Sequence, residues 1–487
     1  VTLARFLLVG LTAVSLFACS SDAKEDSAVS EPDPNPGSLR TQPEGWTDGV
    51  ALPLPVDLND DPDILEVEIE ARLESIEVVP GVLTEMWTYN GSVPGPLLRA
   101  KKGDRLIVHF TNNLPEPTTI HWHGLRVPSE MDGTEAVQSP VLPGGEFLYD
   151  FTLPDAGTFW YHPHVNSGAQ VGYGLYGGIA VSDATESVQE QEVVLVLSDV
   201  SLDVDGQLLP GDHNGWFGDY FGREGEHILV NGKLNPLLKM RPGVSARFRV
   251  INAARSKFFG TEIPSGAMVR VGGDAGLSDR PLPLDQLVVV ASERAEVLVT
   301  LSEDAEGVLH VPFQDVDRFN TGLPLPDAPL FRIEAEGEPV EPSAPLPEIL
   351  GEVEELDLEG ALEREIELGE TEDGQMTING SVFPGIEDTP HVGYVGDTEV
   401  WTVTNTTEYP HPFHLHGFAF QVLDVGGVPW PVREWKDTAS IPAKSTLRFA
   451  VEYDNRPGLW MFHCHILGHA KLGMMSLLDI RPEAERP

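Results

Sequence analysis

The sequence predicts an all-β chain of three consecutive β-sandwich domains, and three observations carry the prediction. Apolar and polar residues alternate with period two through Glu146-Phe147-Leu148-Tyr149-Asp150-Phe151 and Ser445-Thr446-Leu447-Arg448-Phe449-Ala450-Val451, while long amphipathic helical stretches are scarce. One pattern also occurs three times: Asn-Gly, a Pro-containing loop, a Gly, and an alternating strand that ends in Asn. Its copies begin at Asn90-Gly91, Asn231-Gly232 and Asn379-Gly380, and the later Gly precedes the Asn by nine positions each time, at Gly103/Asn112, Gly243/Asn252 and Gly396/Asn405. The copies are offset by 140 and 153 residues, the size of a sandwich domain and far above the period of a solenoid.

At 487 residues and 41% apolar content, the chain is long enough for several separate cores. Residues 1–19 place Arg5 before the apolar run Phe6 to Phe17 and end in Ala18-Cys19, the order of a secretory signal. Leu16-Phe17-Ala18-Cys19 resembles a bacterial lipobox, so the expectation is an exported protein, periplasmic or at the cell surface, lipid-anchored at Cys19. Residues 20–57, rich in Ser, Asp, Glu and Pro, read as an acidic flexible tether. Three domains then follow at 58–184, 185–345 and 346–487, with breaks in apolar periodicity near Ser182 to Gln191 and Glu341 to Pro347. Lys plus Arg number 31 against 77 Asp plus Glu, a net charge of −46 that argues against nucleic acid and against charge-driven binding to anionic membranes. A monomer is expected, touching a membrane only through its anchor.

Four His-x-His pairs carry the chemistry: His121/His123, His162/His164, His414/His416 and His463/His465. With 15 His in 487 residues, random placement would give about 0.5 such pairs, so composition does not explain four. On a strand, residues i and i+2 share a face and i+1 points to the other. Each pair can therefore aim two imidazoles at one metal site, while Cys464, between His463 and His465, projects its sulfur toward a different one. Only Cys19 and Cys464 exist, so lipidation of Cys19 leaves no intrachain disulfide and a single thiol. A thiolate, two imidazoles and a weak axial ligand make a blue copper site; Cys464, His469 and Met474 supply three of these and His411 the fourth. Copper requires the Cys deprotonated and the imidazoles neutral, so loading should fail in acid. The pairs lie only in the first and third domains, which leaves the middle domain as a spacer or docking wall. His109, His213, His227, His310 and His391 show no partner spacing.

The segments His121-Trp122-His123-Gly124, Trp160-Tyr161-His162-Pro163-His164, His411-Pro412-Phe413-His414-Leu415-His416-Gly417 and His463-Cys464-His465-Ile466-Leu467-Gly468-His469 resemble the four copper motifs of three-domain multicopper oxidases, which include laccases, bilirubin oxidases and cuprous oxidases. The resemblance spans residues 60 to 482 and implies three cupredoxin-like Greek-key β-sandwich domains holding four copper ions. By it, His411, Cys464, His469 and Met474 hold type 1 copper; His121 and His414 hold type 2; His123, His162, His164, His416, His463 and His465 hold the type 3 pair. It also implies two small partners, dioxygen, reduced to water, and a reducing substrate: a phenol or aromatic amine in the laccase-like reading, with a metal oxidase for Cu(I), Mn(II) or Fe(II) as the alternative. A non-enzymatic cupredoxin scaffold, whose relatives have lost copper ligands that are all present here, is the lesser rival. Electrons would enter at the His469 edge and pass from Cys464 through His463 and His465.

Reducing dioxygen consumes protons, and the resemblance points to Asp132, eleven residues after His121, as their carrier. Many relatives carry a second acid directly after the last type 1 His; this chain has Ala470. Trp435-Lys436-Asp437-Thr438 resembles a segment near the type 1 site, where Asp437 would accept a substrate proton. The eight Met include no Met-rich insertion, which disfavours a dedicated Cu(I) path.

Overall fold

The computed structural model describes residues 40–188, 190–319, 321–341, 345–386 and 390–487. The expected leader 1–19, the lipidation residue Cys19 and the tether as far as residue 39 lie outside the described residues. Arg40–Pro487 is one compact unit in which three β-sandwiches follow one another along the chain. In the first, a sheet ordered Val82–Tyr89, Ile64–Val79, Arg105–Asn112, Glu146–Thr152 faces one ordered Gly95–Lys101, Gly177–Ser182, Gly157–His162, His121–His123. In the third, a six-stranded sheet centred on Thr398–Asn405 faces a five-stranded one in which Gly458–Cys464 and His411–Leu415 are neighbours. The middle sandwich pairs a six-stranded sheet with a three-stranded one and contributes the short helix Gly215–Phe221.

The repeated sequence pattern occupies the same place in every domain. Arg105–Asn112, Ser245–Asn252 and Thr398–Asn405 each run parallel to the domain's opening strand and antiparallel to a later one. The terminal Asn explains its own recurrence, because its amide stitches the strand end to the following loop. Asn112, Asn252 and Asn405 donate Nδ2 to the carbonyls of Glu116, Lys257 and Tyr409, and their Oδ1 atoms accept from the backbone N–H of Leu114, Ala254 and Thr407. The Asn-Gly pairs are equally local in origin. Asn90, Asn231 and Asn379 take positive φ of 54°, 51° and 52°, which Asn tolerates in tight hairpin turns. Each also accepts a backbone N–H of the opening strand, from Glu70, Val196 and Glu367.

Composition predicts a solvated tether across 20–57, and over 40–57 the structure differs. Gln42, Trp46 and Val50 are buried, the latter two in the middle domain's core beside Leu238, Met240 and Phe248. Gln42 donates Nε2 to the Val244 carbonyl at 3.1 Å and accepts from the Arg241 N–H at 2.9 Å. The Pro-rich stretch carries two large apolar side chains that find a core to join, and the amide of Gln42 satisfies the backbone where they enter.

Each domain has its own core, and a further cluster welds the domains together. Val78, Met86 and Trp160 of the first pack with Val194, Val196 and Ile251 of the second and Leu467 of the third. The strands that carry the His pairs are thereby fixed against one another.

Candidate metal centre

The pairs converge because the strands that bear them are ladder neighbours within each domain. His121 pairs across the ladder with His162, and His414 with His463. First-domain and third-domain rings then stack face to face, His123 on His414 at 3.8 Å between centroids and His121 on His416 at 4.0 Å. All eight paired imidazoles thus share one nest, within which smaller sets are visible. The ligand atoms of His164, His416 and His463 lie within 4.8 Å of one another. The rings of His123, His162 and His465 have centroids 5.0 to 5.7 Å apart, and His121 faces His414 at 5.8 Å. None of His109, His213, His227, His310 and His391 joins a group of metal-ligand side chains among the described residues.

Copper fits this donor set on the chemistry of the ring nitrogens. His121, His162, His414 and His463 each donate Nδ1–H to a backbone carbonyl, of Asp132, Pro163, Asp437 and Cys464, at 2.8 to 3.0 Å. Nε2 of His121, His162 and His414, Nδ1 of His123 and both nitrogens of His465 are buried without a hydrogen-bond partner. An orphaned buried polar atom costs about 1–3 kcal/mol, and a nest of them is intelligible as lone pairs reserved for a cation. Burial, reinforced by neighbouring imidazoles, holds His162, His463 and His465 well below the ordinary imidazole range, so they stay neutral as metal ligands must.

The second site lies on the opposite face of the Cys464 strand. Cys464 Sγ is 3.4 Å from His411 Nδ1 and 3.6 Å from His469 Nδ1, and those two nitrogens are 3.1 Å apart. Thr407 Oγ1 meets His411 Nε2 at 2.7 Å and the Tyr220 carbonyl accepts from His469 Nε2 at 2.9 Å, so both rings keep Nδ1 for a metal. Met474 is fully buried in the same core, and its carbonyl accepts from the Cys464 N–H at 3.1 Å. Burial pushes the Cys464 thiol up to about 12. A metal binding here must therefore displace that proton.

Asp132 lies where the sequence points, fully buried against the nest. Its Oδ2 accepts from His416 Nδ1 at 2.9 Å and its Oδ1 lies 3.3 Å from His121 Nδ1. Burial alone would raise its pKa, but the two imidazoles hold it well below the usual carboxylate range. Gly133 makes this approach possible: with φ of +81°, a Cβ there would sit 1.9 Å from the Ile120 carbonyl oxygen.

Two expectations are corrected. Asp437 is not beside the Cys464 site or open to a substrate; it is buried, with Oδ1 3.0 Å from His123 Nε2 and its carbonyl bonded to His414 Nδ1. The ladder explains the shift, since His414 pairs with Thr438 and so sets residue 437 beside the nest. His469 itself is 1% exposed beneath the helix Gly215–Phe221. Nor is the middle domain a mere spacer. Besides Tyr220 it supplies Arg294, whose guanidinium forks onto both oxygens of Asp437. It supplies Asp274 too, whose Oδ2 accepts the backbone N–H groups of Asp437 and Thr438. The available signal for Arg294 was a charged pair, Glu293-Arg294, set in the apolar run from Leu287 to Leu301.

Family models described as multicopper oxidase match residues 71–186, 194–317 and 356–484. The multicopper oxidase MmcO of Mycobacterium tuberculosis is 32% identical over 452 residues, covering 82% of this chain and 84% of that one. A laccase of Bacillus subtilis is 29% identical, covering 82% and 90%. Among solved structures, the Campylobacter jejuni multicopper oxidase described as a metallo-oxidase superposes with a TM-score of 0.79 at 30% identity, over 88% of this chain and 94% of that one.

Proposed function

From the premise that this chain belongs to the multicopper oxidase family, we propose that it is laccase-like, coupling one-electron oxidation of a phenol or aromatic amine to reduction of dioxygen to water. The observation that carries the aromatic donor is the surface over His469. The helix that covers this imidazole displays Trp216, Phe217 and Phe221, 41%, 66% and 41% exposed, with the ring of Trp216 stacked 4.6 Å from that of Tyr220. A planar donor can rest on such rings at little entropic cost, and the bond from His469 Nε2 to the Tyr220 carbonyl offers the short route inward.

Copper bound by these residues would supply one-electron acceptance at the thiolate site and multi-electron delivery to dioxygen in the nest. His411, Cys464, His469 and Met474 would hold the first ion; His121 and His414 a second; and His123, His162, His164, His416, His463 and His465 the remaining two. Cys464 joins the centres, since its side chain belongs to one while His463 and His465 on either side belong to the other. Asp132 orients His121 and His416 and, as the buried acid beside the nest, relays protons toward it.

A metal ion as donor is the second reading, favoured by one contact: Tyr220 donates its hydroxyl to the exposed carboxylate of Glu370 at 2.5 Å, which puts an anionic ligand beside the same port. Steady-state oxidation of a phenol and aromatic-amine panel beside Cu(I), Mn(II) and Fe(II) tests the proposal; turnover confined to metal ions would refute the laccase reading. Export and lipid anchoring at Cys19 complete it, and Cys19→Ala should release the protein from membranes. Unchanged membrane fractionation would exclude the anchor.

A further inference from the structure

Buried charges run without a break from the middle domain to the nest. Arg270 pairs with Glu434, Lys436 with Glu293 and Asp274, and Arg294 with Asp274 and Asp437, and every one of these side chains is buried. Burying ions costs several kcal/mol each and pairing repays it only in part, so such a chain is weak as a stabiliser; it must be read by what its end holds in place. The end is His123.

Among the imidazoles whose ring bonds are defined in the nest, His123 is inverted. His121, His162, His414, His416 and His463 spend Nδ1 on a carbonyl or on Asp132 and keep Nε2 for metal. His123 instead directs Nε2 at Asp437 Oδ1, 3.0 Å away, and its buried Nδ1 has no partner. An ionised carboxylate can only accept, so the His123 proton sits on Nε2 and the metal-facing atom is Nδ1. Asp437 in turn has no freedom to swing. Arg294 donates Nη1 to Oδ1 at 2.8 Å and Nη2 to Oδ2, a two-point fork that a single ammonium could not reproduce. The guanidinium is itself held, with Nε on the Thr158 carbonyl at 2.9 Å, Nη1 on the Ser292 carbonyl at 3.1 Å and its backbone N–H on Asp274 Oδ1 at 2.8 Å.

We propose that Arg294 is a positioning residue of the metal cluster: through Asp437 it keeps the proton of His123 on Nε2 and turns Nδ1 to the metal, so the middle domain, which contributes no ligand, governs loading of the nest. The inference needs copper as the cofactor but is independent of the identity of the electron donor. Removal of the fork frees Asp437, and His123 can adopt the Nδ1–H tautomer of its neighbours, with Nε2 open but facing away from the cluster.

The test compares the full-length protein with Arg294→Met, Arg294→Lys and, at the far end of the charge chain, Arg270→Met. In the copper-free proteins, nitrogen resonances of selectively labelled His read the tautomer; in copper-loaded proteins, metal stoichiometry and paramagnetic resonance read the nest and the Cys464 site separately. Arg294→Met is expected to move His123 off the Nε2–H form and to weaken copper in the nest about 10–100-fold, the usual consequence of losing an outer hydrogen-bond partner. The blue Cys464 site should keep its ion and spectrum. Arg294→Lys, which keeps the charge and loses the fork, should show the same change to a smaller degree, and it decides the matter if the Met variant does not fold. Arg270→Met should alter neither reading at the nest. Wild-type tautomer and nest affinity in Arg294→Lys, or an equal loss of nest copper in Arg270→Met, would overturn the proposal.

Discussion

Acid should unfold the copper-free chain far sooner than the loaded one, and the buried imidazoles set the size of the effect. Burial lowers His469 to about 3, against about 6.5 for an imidazole in an unfolded chain. Above that unfolded value the ring is neutral in both states and titration costs nothing. Below it the unfolded chain takes up the proton and the folded one refuses it until pH approaches 3, so stability is lost as pH falls through that window. At pH 5 the deficit is about 1.5 units, or about 2 kcal/mol for one ring. Burial also holds His123, His162, His411, His416, His463 and His465 well below the ordinary range. His164 is likewise lowered to about 3, so His164 and His469 alone cost about 4 kcal/mol at pH 5 and the others add in the same direction, against a whole stability of about 5–15 kcal/mol for a folded domain. Metal bound to the same nitrogens stabilises only the folded state and competes with protons. Circular dichroism and tryptophan fluorescence across pH 7 to 3, with and without copper, provide the assay. The copper-free protein should lose tertiary structure at about pH 5 and the loaded protein at least about one unit lower. A copper-free protein as resistant to urea at pH 5 as at pH 7 would refute the reasoning.

Other perturbations address single parts of the account. Asp132→Asn leaves one acceptor and no charge where two imidazole Nδ1 atoms, of His416 and His121, face the carboxylate, and should slow turnover about 10–100-fold; full activity would end its assigned role. Cys464→Ser should remove the blue absorption and one copper per chain while the nest keeps its ions, as metal analysis and paramagnetic resonance will report. Trp216→Ala together with Phe217→Ala should raise KM for phenols with the blue spectrum unchanged; equal KM would move the donor elsewhere. Trp46→Ala leaves a cavity in the middle core and should lower stability by about 3–5 kcal/mol, measurable as a urea midpoint, whereas a true tether residue would shift nothing.

What was legible in the sequence was short-range. Spacing of two puts His463 and His465 on one side of the chain and Cys464 on the other, and that geometry holds although the strand Gly458–Cys464 ends just before His465. The repeat was legible for the same reason, because Asn90, Asn231 and Asn379 answer to local turn chemistry and Asn112, Asn252 and Asn405 to the loop that directly follows each strand. What stayed hidden were contacts between segments far apart in the chain. Arg294 reaches Asp437 across 143 residues, Asp274 reaches its backbone across 163, and the Tyr220 carbonyl reaches His469 across 249. Nothing in the composition around Arg294 reveals which carboxylate it will fork. Asp437 was misplaced because its neighbourhood depends on register: one ladder step, His414 against Thr438, decides whether it meets the nest or the thiolate site. Residues 40–57 were misjudged by composition, since Trp46 and Val50 outweigh the prolines once the middle core offers them a seat.

The central claim is that eight paired imidazoles form one centre and Cys464 with His411 and His469 forms another. Anomalous diffraction at the copper edge, on crystals of the fully loaded protein, addresses it most directly. The account predicts four peaks per chain, three among His121, His123, His162, His164, His414, His416, His463 and His465, and one beside Cys464. A single peak, or density at the thiolate with none among the paired imidazoles, would contradict it.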